Sequence, residues 1–224
     1  DITSICGGLN INIGTLNKNT IPSMFLAGKK ANWLGRIVLR DPVGAGASRL
    51  RTDTANRLRQ EVRFDAVRGN ISEIKTLCTG SGSTKGVDAD AVDAVTEANL
   101  DDGVQLVKTF AQRAGCIVAV TGAIDLVSDG ERCWCIRNGR AEMGRSTGTG
   151  CQRSALMTAF LVANPDHKLA AAAAAVCMMG LAGEIGWANM QPGDGNSTYR
   201  NRIIDAIFNM TGDALEKGAK YELR

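Results

Sequence analysis

Thr147-Gly148-Thr149-Gly150-Cys151 is the stretch of this chain best suited to chemistry. Two glycines allow a tight turn and a close approach of backbone to ligand. A strongly helical run, 152–163, begins directly after it. Free N–H groups and the positive end of the helix dipole therefore face the turn. That is an anion hole, and its natural anion is a phosphate. Cys151 stands at its lip, where the dipole favours negative charge. A phosphate cradle edged by a reactive side chain points to phosphoryl transfer. A small packed thiol after an ordinary Gly-rich turn gives the same local pattern, so other segments must decide.

Two others have the same character. In Asp41-Pro42-Val43-Gly44-Ala45-Gly46-Ala47, the acid follows the apolar run 37–39. It therefore stands at the carboxyl end of a strand, the edge where open α/β sheets bind ligands. A capping Asp in a plain strand-to-loop connection reads equally well. In Arg68-Gly69-Asn70-Ile71-Ser72-Glu73, Asn70 and Glu73 have the spacing of a capping box. The functional reading puts Arg68 on a phosphate and Glu73 towards a hydrated Mg²⁺, which prefers carboxylate oxygen and water. Thr121-Gly122 closes another apolar run and reads as a phosphate contact or as a strand-ending turn.

The elements that must position these residues alternate. Strands are expected at 9–13, 37–39, 64–67 and 116–120, with a hairpin from 124–127 and 132–136 around Ser128-Asp129-Gly130. Helices are expected at 21–34, 53–62, 72–77 and 101–113, the last with Val104, Leu106, Val107 and Phe110 inward. A polar, glycine-rich loop is expected at 80–88, and helices at 152–163, 168–190 and 198–210 close the chain. This succession argues a single α/β domain over 1–224, a doubly wound sheet flanked by helices.

Composition agrees and excludes rivals. The 224 residues carry a net charge of only +3, with no Lys/Arg block or aromatic platform for nucleic acid. No run reads as apolar enough to span a membrane, and the alanines at 170–175 suit a tightly packed helix. Seven scattered cysteines without a CxxC pair read as reduced thiols of the cytoplasm. Cys133 and Cys135 should share one face of a strand and pack in the core. The one histidine, His167, lies in a polar connector, which excludes a His-rich zinc site. A general base must then be a carboxylate, a thiolate or a lysine.

Taken together, these segments resemble the hydroxyethylthiazole kinase family of the ribokinase-like superfamily. The resemblance rests on 12–16 (Asn-Ile-Gly-Thr-Leu), 41–47, Arg68-Gly69-Asn70 with Glu73, 118–122 (Val-Ala-Val-Thr-Gly), 147–151 and Gly193-Asp194-Gly195, in the family's order. It implies a ribokinase-like fold that transfers the γ-phosphoryl of ATP, with Mg²⁺, to 4-methyl-5-(2-hydroxyethyl)thiazole in thiamine salvage. By resemblance, the N–H groups of Gly148, Thr149, Gly150 and Cys151 face the transferring phosphoryl, and Gly148 also lies against the thiazole. Arg68 and Thr121 contact ATP phosphates; Glu73 and Asp41 belong to the Mg²⁺ and water network. Cys151 occupies the base position, where most of the superfamily has Asp. The family also implies a homotrimer with sites between subunits. It implies an N-terminal segment lining the thiazole pocket; this chain opens at Asp1, and truncation rather than true absence of that segment is expected. Arg40 and Arg153 stand where the family pattern is apolar: Arg40 is expected to pair with Asp41 or point outward, Arg153 to reach solvent, an acid or a phosphate. Two alternatives are a kinase for another small alcohol, such as hydroxymethylpyrimidine, and a non-catalytic nucleotide-binding subunit.

Overall fold

The computed structural model describes residues 1–79 and 94–224; the loop expected at 80–88 lies outside the described residues. One seven-stranded sheet organises the chain, with strands in sequence order: β1 Gly8–Asn12, β2 Ile37–Asp41, β3 Ala66–Asn70, β4 Ile117–Thr121, β5 Asp125–Ser128, β6 Cys133–Ile136 and β7 Tyr221–Leu223. The first four run parallel, and the last three add antiparallel.

Parallel neighbours need crossovers, and right-handed crossovers in unbroken order deliver every connecting helix to the same face. That face carries α2 Thr20–Trp33, α3 Arg49–Glu61, α4 Ile71–Thr79 and α5 Leu100–Ala114. Phe25, Ala55, Leu58, Ile74, Val107 and Phe110 from these helices meet Ile11, Val38, Val67, Val118 and Leu126 of the sheet. The other face is covered by the chain's later part. There α6 Thr149–Ala163 and α7 Lys168–Ala188 lay Met157, Leu161, Ala172 and Val176 on Leu39, Ala66, Ala119 and Val127. Alternate residues of each strand thus serve opposite cores. Cys133 and Cys135 share the first core, as expected. Both faces are helix-covered, so β4 and the first three residues of β2 read as continuous apolar runs.

Helix α7 corrects one expectation. The 24-residue segment Pro165–Ala188 is long and apolar enough to cross a membrane, with an 18-residue window of mean hydropathy 1.7. In the fold 72% of that window is buried, because α6, α8 (Asn196–Asn209) and the sheet enclose it. Its alanines and glycines permit that close approach: a Cβ on Gly180 would meet the Asn138 backbone at 2.6 Å. Beyond short 3-10 turns, α1 Ile2–Ile5, α9 Gly212–Gly218 and strand β7 lie outside the sequence expectation.

Candidate active site

Polar residues collect at the carboxyl ends of β1–β4, on the α6 face. Asn12 pairs in register with Asp41; Arg68, two residues before the end of β3, and Thr121, the last of β4, lie on the same side. Asp41 is fully buried. Its Oδ2 accepts from Asn12 Nδ2 and from Ser154 Oγ, both at 2.9 Å. Its Oδ1 has no hydrogen-bond donor and lies 3.5 Å from Arg68 Nη1. Burial pushes the Asp41 carboxyl above the usual range; Arg68 and the two hydrogen bonds pull it back. Arg68 also donates to Thr121 Oγ1 at 2.7 Å, and its Nε has no partner among the described residues.

Helix α6 begins at Thr149, earlier than the sequence suggests, after Gly148 at φ 91. The first N–H bonded back into the helix is that of Gln152, to the Gly148 carbonyl at 2.9 Å. Among the described residues, the N–H groups of Gly150 and Cys151 have no protein acceptor. Thr149 spends its hydroxyl on the Met143 and Ser146 carbonyls, fixing the turn. Gly150 leaves room for the guanidinium: a Cβ there would lie 2.9 Å from Arg68 Nη1 and push that movable side-chain end aside. The open helix end and a guanidinium therefore share one wall of a cleft of about 820 Å³. Cys151 lies on that wall, exposed, and its Sγ accepts from Asn12 Nδ2 at 3.2 Å.

Glu73 forms the opposite wall and makes the expected capping box. Its Oε2 accepts from Asn70 N–H and its N–H donates to Asn70 Oδ1, both at 2.8 Å. Its Oε1 accepts from Gly44 N–H at 2.7 Å, pinning the 41–47 loop where Gly44 takes φ 70. Burial raises the Glu73 carboxyl's proton affinity, against those two backbone donors.

The expected site residues thus converge, with one distinction: Asp41 is not on the cleft surface but beneath it, under Asn12, Arg68 and Ser154. Gly193-Asp194-Gly195 stands apart as a turn, Asp194 accepting from Gln191 N–H and Arg202. Asn12, Ser154 and Asp125 belong to the site's frame, and sequence reasoning gave them no role there. The available signals were the polar end of an apolar strand for Asn12 and the one-turn spacing from Cys151 for Ser154. Asp125, fully buried, accepts from Gly122 N–H at 2.8 Å and binds Arg153 at 3.3 Å. Arg153 therefore reaches an acid, as required, while lining the cleft beside Arg68. Burial raises the Asp125 carboxyl, with Arg153 opposing. Arg40 does neither thing expected of it. Strand alternation sends it to the face opposite Asp41, where Nη1 donates to the Ala55 carbonyl at 3.0 Å. His167 is exposed in the connector between α6 and α7.

The geometry makes an electropositive cleft aimed at phosphate oxygens. Residues 1–213 match the model of the hydroxyethylthiazole kinase family. A hydroxyethylthiazole kinase of Clostridium acetobutylicum is 52% identical over 222 residues, covering 99% of this chain and 81% of that protein. One of Clostridium beijerinckii is 45% identical over 223 residues, covering 99% and 79%. The solved structure of a hydroxyethylthiazole kinase protein from Pyrococcus horikoshii OT3 superposes with a TM-score of 0.85 at 29% identity, covering all of this chain and 79% of that one. A Staphylococcus aureus pyridoxal kinase in complex with ADP shares the fold, with a TM-score of 0.60 at 16% identity over 96% of this chain and 72% of that one.

Proposed function

Because the chain belongs to the hydroxyethylthiazole kinase family, we propose that the cleft between α6 and Glu73 is where it phosphorylates hydroxyethylthiazole. The chain is an ATP-dependent kinase for that alcohol. The observation that carries the site is the open N-terminus of α6 beside Arg68. Two N–H groups without acceptors among the described residues and the Arg68 guanidinium line one cleft. Fixed donors of this kind stabilise charge on a transferring phosphoryl without reorganising.

In this reading Gly150 and Cys151 N–H receive the phosphoryl oxygens, and Arg68 and Thr121 hold the nucleotide's phosphates. Gly148 and Thr149 shape the turn on which the thiazole rests. Cys151 orients the substrate hydroxyl from the lip of the cradle. Asp41 holds Arg68 from beneath.

The residues fit Mg²⁺ as a hydrated ion carried mainly by phosphate. Among the described residues no group of three or more His, Cys, Asp or Glu could hold a metal. Mg²⁺ instead takes one or two carboxylates and keeps its waters. Glu73 offers the remaining lone pairs of its two oxygens, while Asp41, buried beneath the cleft with its Oδ1 against Arg68, would act on the ion only through that guanidinium. Bound there, the ion would neutralise phosphate charge.

Coupled ATP-consumption assays with hydroxyethylthiazole, with and without Mg²⁺, test the reading. Turnover that needs the alcohol and is lost on chelation is expected. ATP hydrolysis indifferent to the alcohol would sink it, as would tighter use of hydroxymethylpyrimidine. We infer a homotrimer with sites between subunits. Exposed Leu26 and Trp33 on α2 and Ile204 and Phe208 on α8 are apolar surface that an assembly would cover. A monomer in sedimentation equilibrium at micromolar concentration would remove that inference. Seven unpaired thiols support a cytoplasmic setting.

A further inference from the structure

At the opposite end of the sheet lies a second cavity of about 670 Å³. It opens where α3 runs into β3 and α5 into β4, on the face away from α6. Arg40, Arg59, Arg63 and Arg113 line it, over an apolar floor that includes Phe64 and Phe110. No carboxylate lies within ion-pair distance of any of the four among the described residues. The one acid on the rim, Glu61, is engaged by Lys29 at 2.6 Å and Arg57 at 3.6 Å.

Arg40 is the unusual member. It is 1% exposed, its Nε has no hydrogen-bond partner among the described residues, and its guanidinium lies 5.0 Å from the Phe64 ring. An uncompensated charge is costly to bury, so such a side chain is ordinarily paired. The cost shows in its proton affinity: desolvation brings the Arg40 pKa down to about 10, with the nearby Arg59 charge adding to the effect. Arg59 and Arg113 both bear on the Cys78 thiol, another residue of the wall. One buried and several exposed guanidiniums thus converge on a space large enough for a small molecule, and no described acid supplies their counter-charge.

We propose that this cavity is a second anion site, binding the phosphate group of a small, partly apolar molecule away from the cleft. Arg is the side chain suited to phosphate, because its planar donors match two oxygens at once. Phe64, Phe110 and Val67 would take the apolar part of the ligand. The cleft's own residues play no part here, so this site stands or falls separately from the kinase reading.

Cys78 and Cys116 line the cavity and are partly exposed, which provides a local readout. Maleimide labelling is followed cysteine by cysteine by mass spectrometry, with inorganic pyrophosphate or ADP as probe and no Mg²⁺. Either probe should slow labelling of Cys78 and Cys116 at least tenfold. In the Arg59→Ala/Arg113→Ala double variant, which alters only exposed side chains, that protection should fall at least tenfold, while protection of Cys151 in the cleft persists. Labelling of Cys78 and Cys116 that neither probe changes would overturn the proposal, as would full protection in the double variant. Arg40→Met supplies a second reading. It should abolish protection at Cys78 and Cys116 while leaving the ligand-free protein at least as stable in urea; retained protection would count against the site.

Discussion

Cys151 is held by little more than Asn12, whose amide also serves Asp41. It is the only exposed cysteine of the seven. Iodoacetamide should therefore modify it first, and ATP with hydroxyethylthiazole together should protect it. Cys151→Asp is expected to keep or raise kcat, since a carboxylate can accept the hydroxyl proton and the helix end tolerates its charge. Cys151→Ala should retain measurable turnover, because fixed donors do most of the stabilising. A folded Cys151→Asp enzyme that binds both ligands but is far slower would assign the thiol a specific role. Arg153 allows a different test. Its side chain is 12% exposed and that of its partner Asp125 2%. Arg153→Met would strand a buried carboxylate, at a cost of about 3–5 kcal/mol at neutral pH. Burial has already raised the Asp125 carboxyl, and losing Arg153 raises it further. A native acid with a raised pKa binds its proton more tightly than the unfolded chain does, so stability is recovered as pH falls through that folded value. Urea midpoints at neutral and mildly acidic pH should show the deficit shrinking towards acid. A pH-independent deficit would mean that the pair is not what was lost.

Helix α6 shows what an element contributes. Its first turn contains Thr149, Gly150 and Cys151, so cradle and helix are one object. Gly150→Ala separates its two duties. Alanine favours a helix by up to about 1 kcal/mol over glycine, while its Cβ would meet the movable end of Arg68. Equal or greater thermal stability with a markedly higher KM for ATP is expected; an unchanged KM would release Arg68 from the phosphates. Sequence pattern found this helix but started it three residues late, because glycine and threonine are weak helix formers. It likewise started α3 at 53, whereas Ser48 caps it and Arg49 opens it. The capping box at Asn70 and Glu73 was legible because both partners lie within one turn. The Asn12–Asp41–Ser154 and Asp125–Arg153 contacts were not, because they depend on which strands stand side by side and which helix crosses them. β7 escaped notice for the same reason: three residues become a strand only because β6, nearly ninety positions earlier, offers an edge.

The whole molecule is graded in depth. β2, β3 and β4 are buried by helices on both sides, while β7 is an exposed edge strand. Amide exchange should be slowest in β2–β4, near the limit of global unfolding, and fastest in β7 and α9, which can open alone. Uniform protection across the sheet would contradict that grading. The alternation of apolar strand and helix made the α/β class legible, but not how the second face is covered. Helices from one stretch of sequence cover the first face, and those from a later stretch the second. On the ribosome this order has a temporal meaning. Six strands have been made once Ile136 is added, but the partners of Leu39, Ala66, Ile117, Ala119 and Val127 are not complete until Ala188. At about 5–20 residues per second, those fifty or so residues take roughly 3–10 s. For that interval a nascent chain with its first layer assembled would carry a bare apolar sheet, a surface that holdase chaperones recognise and that neighbouring nascent chains on the same message could meet.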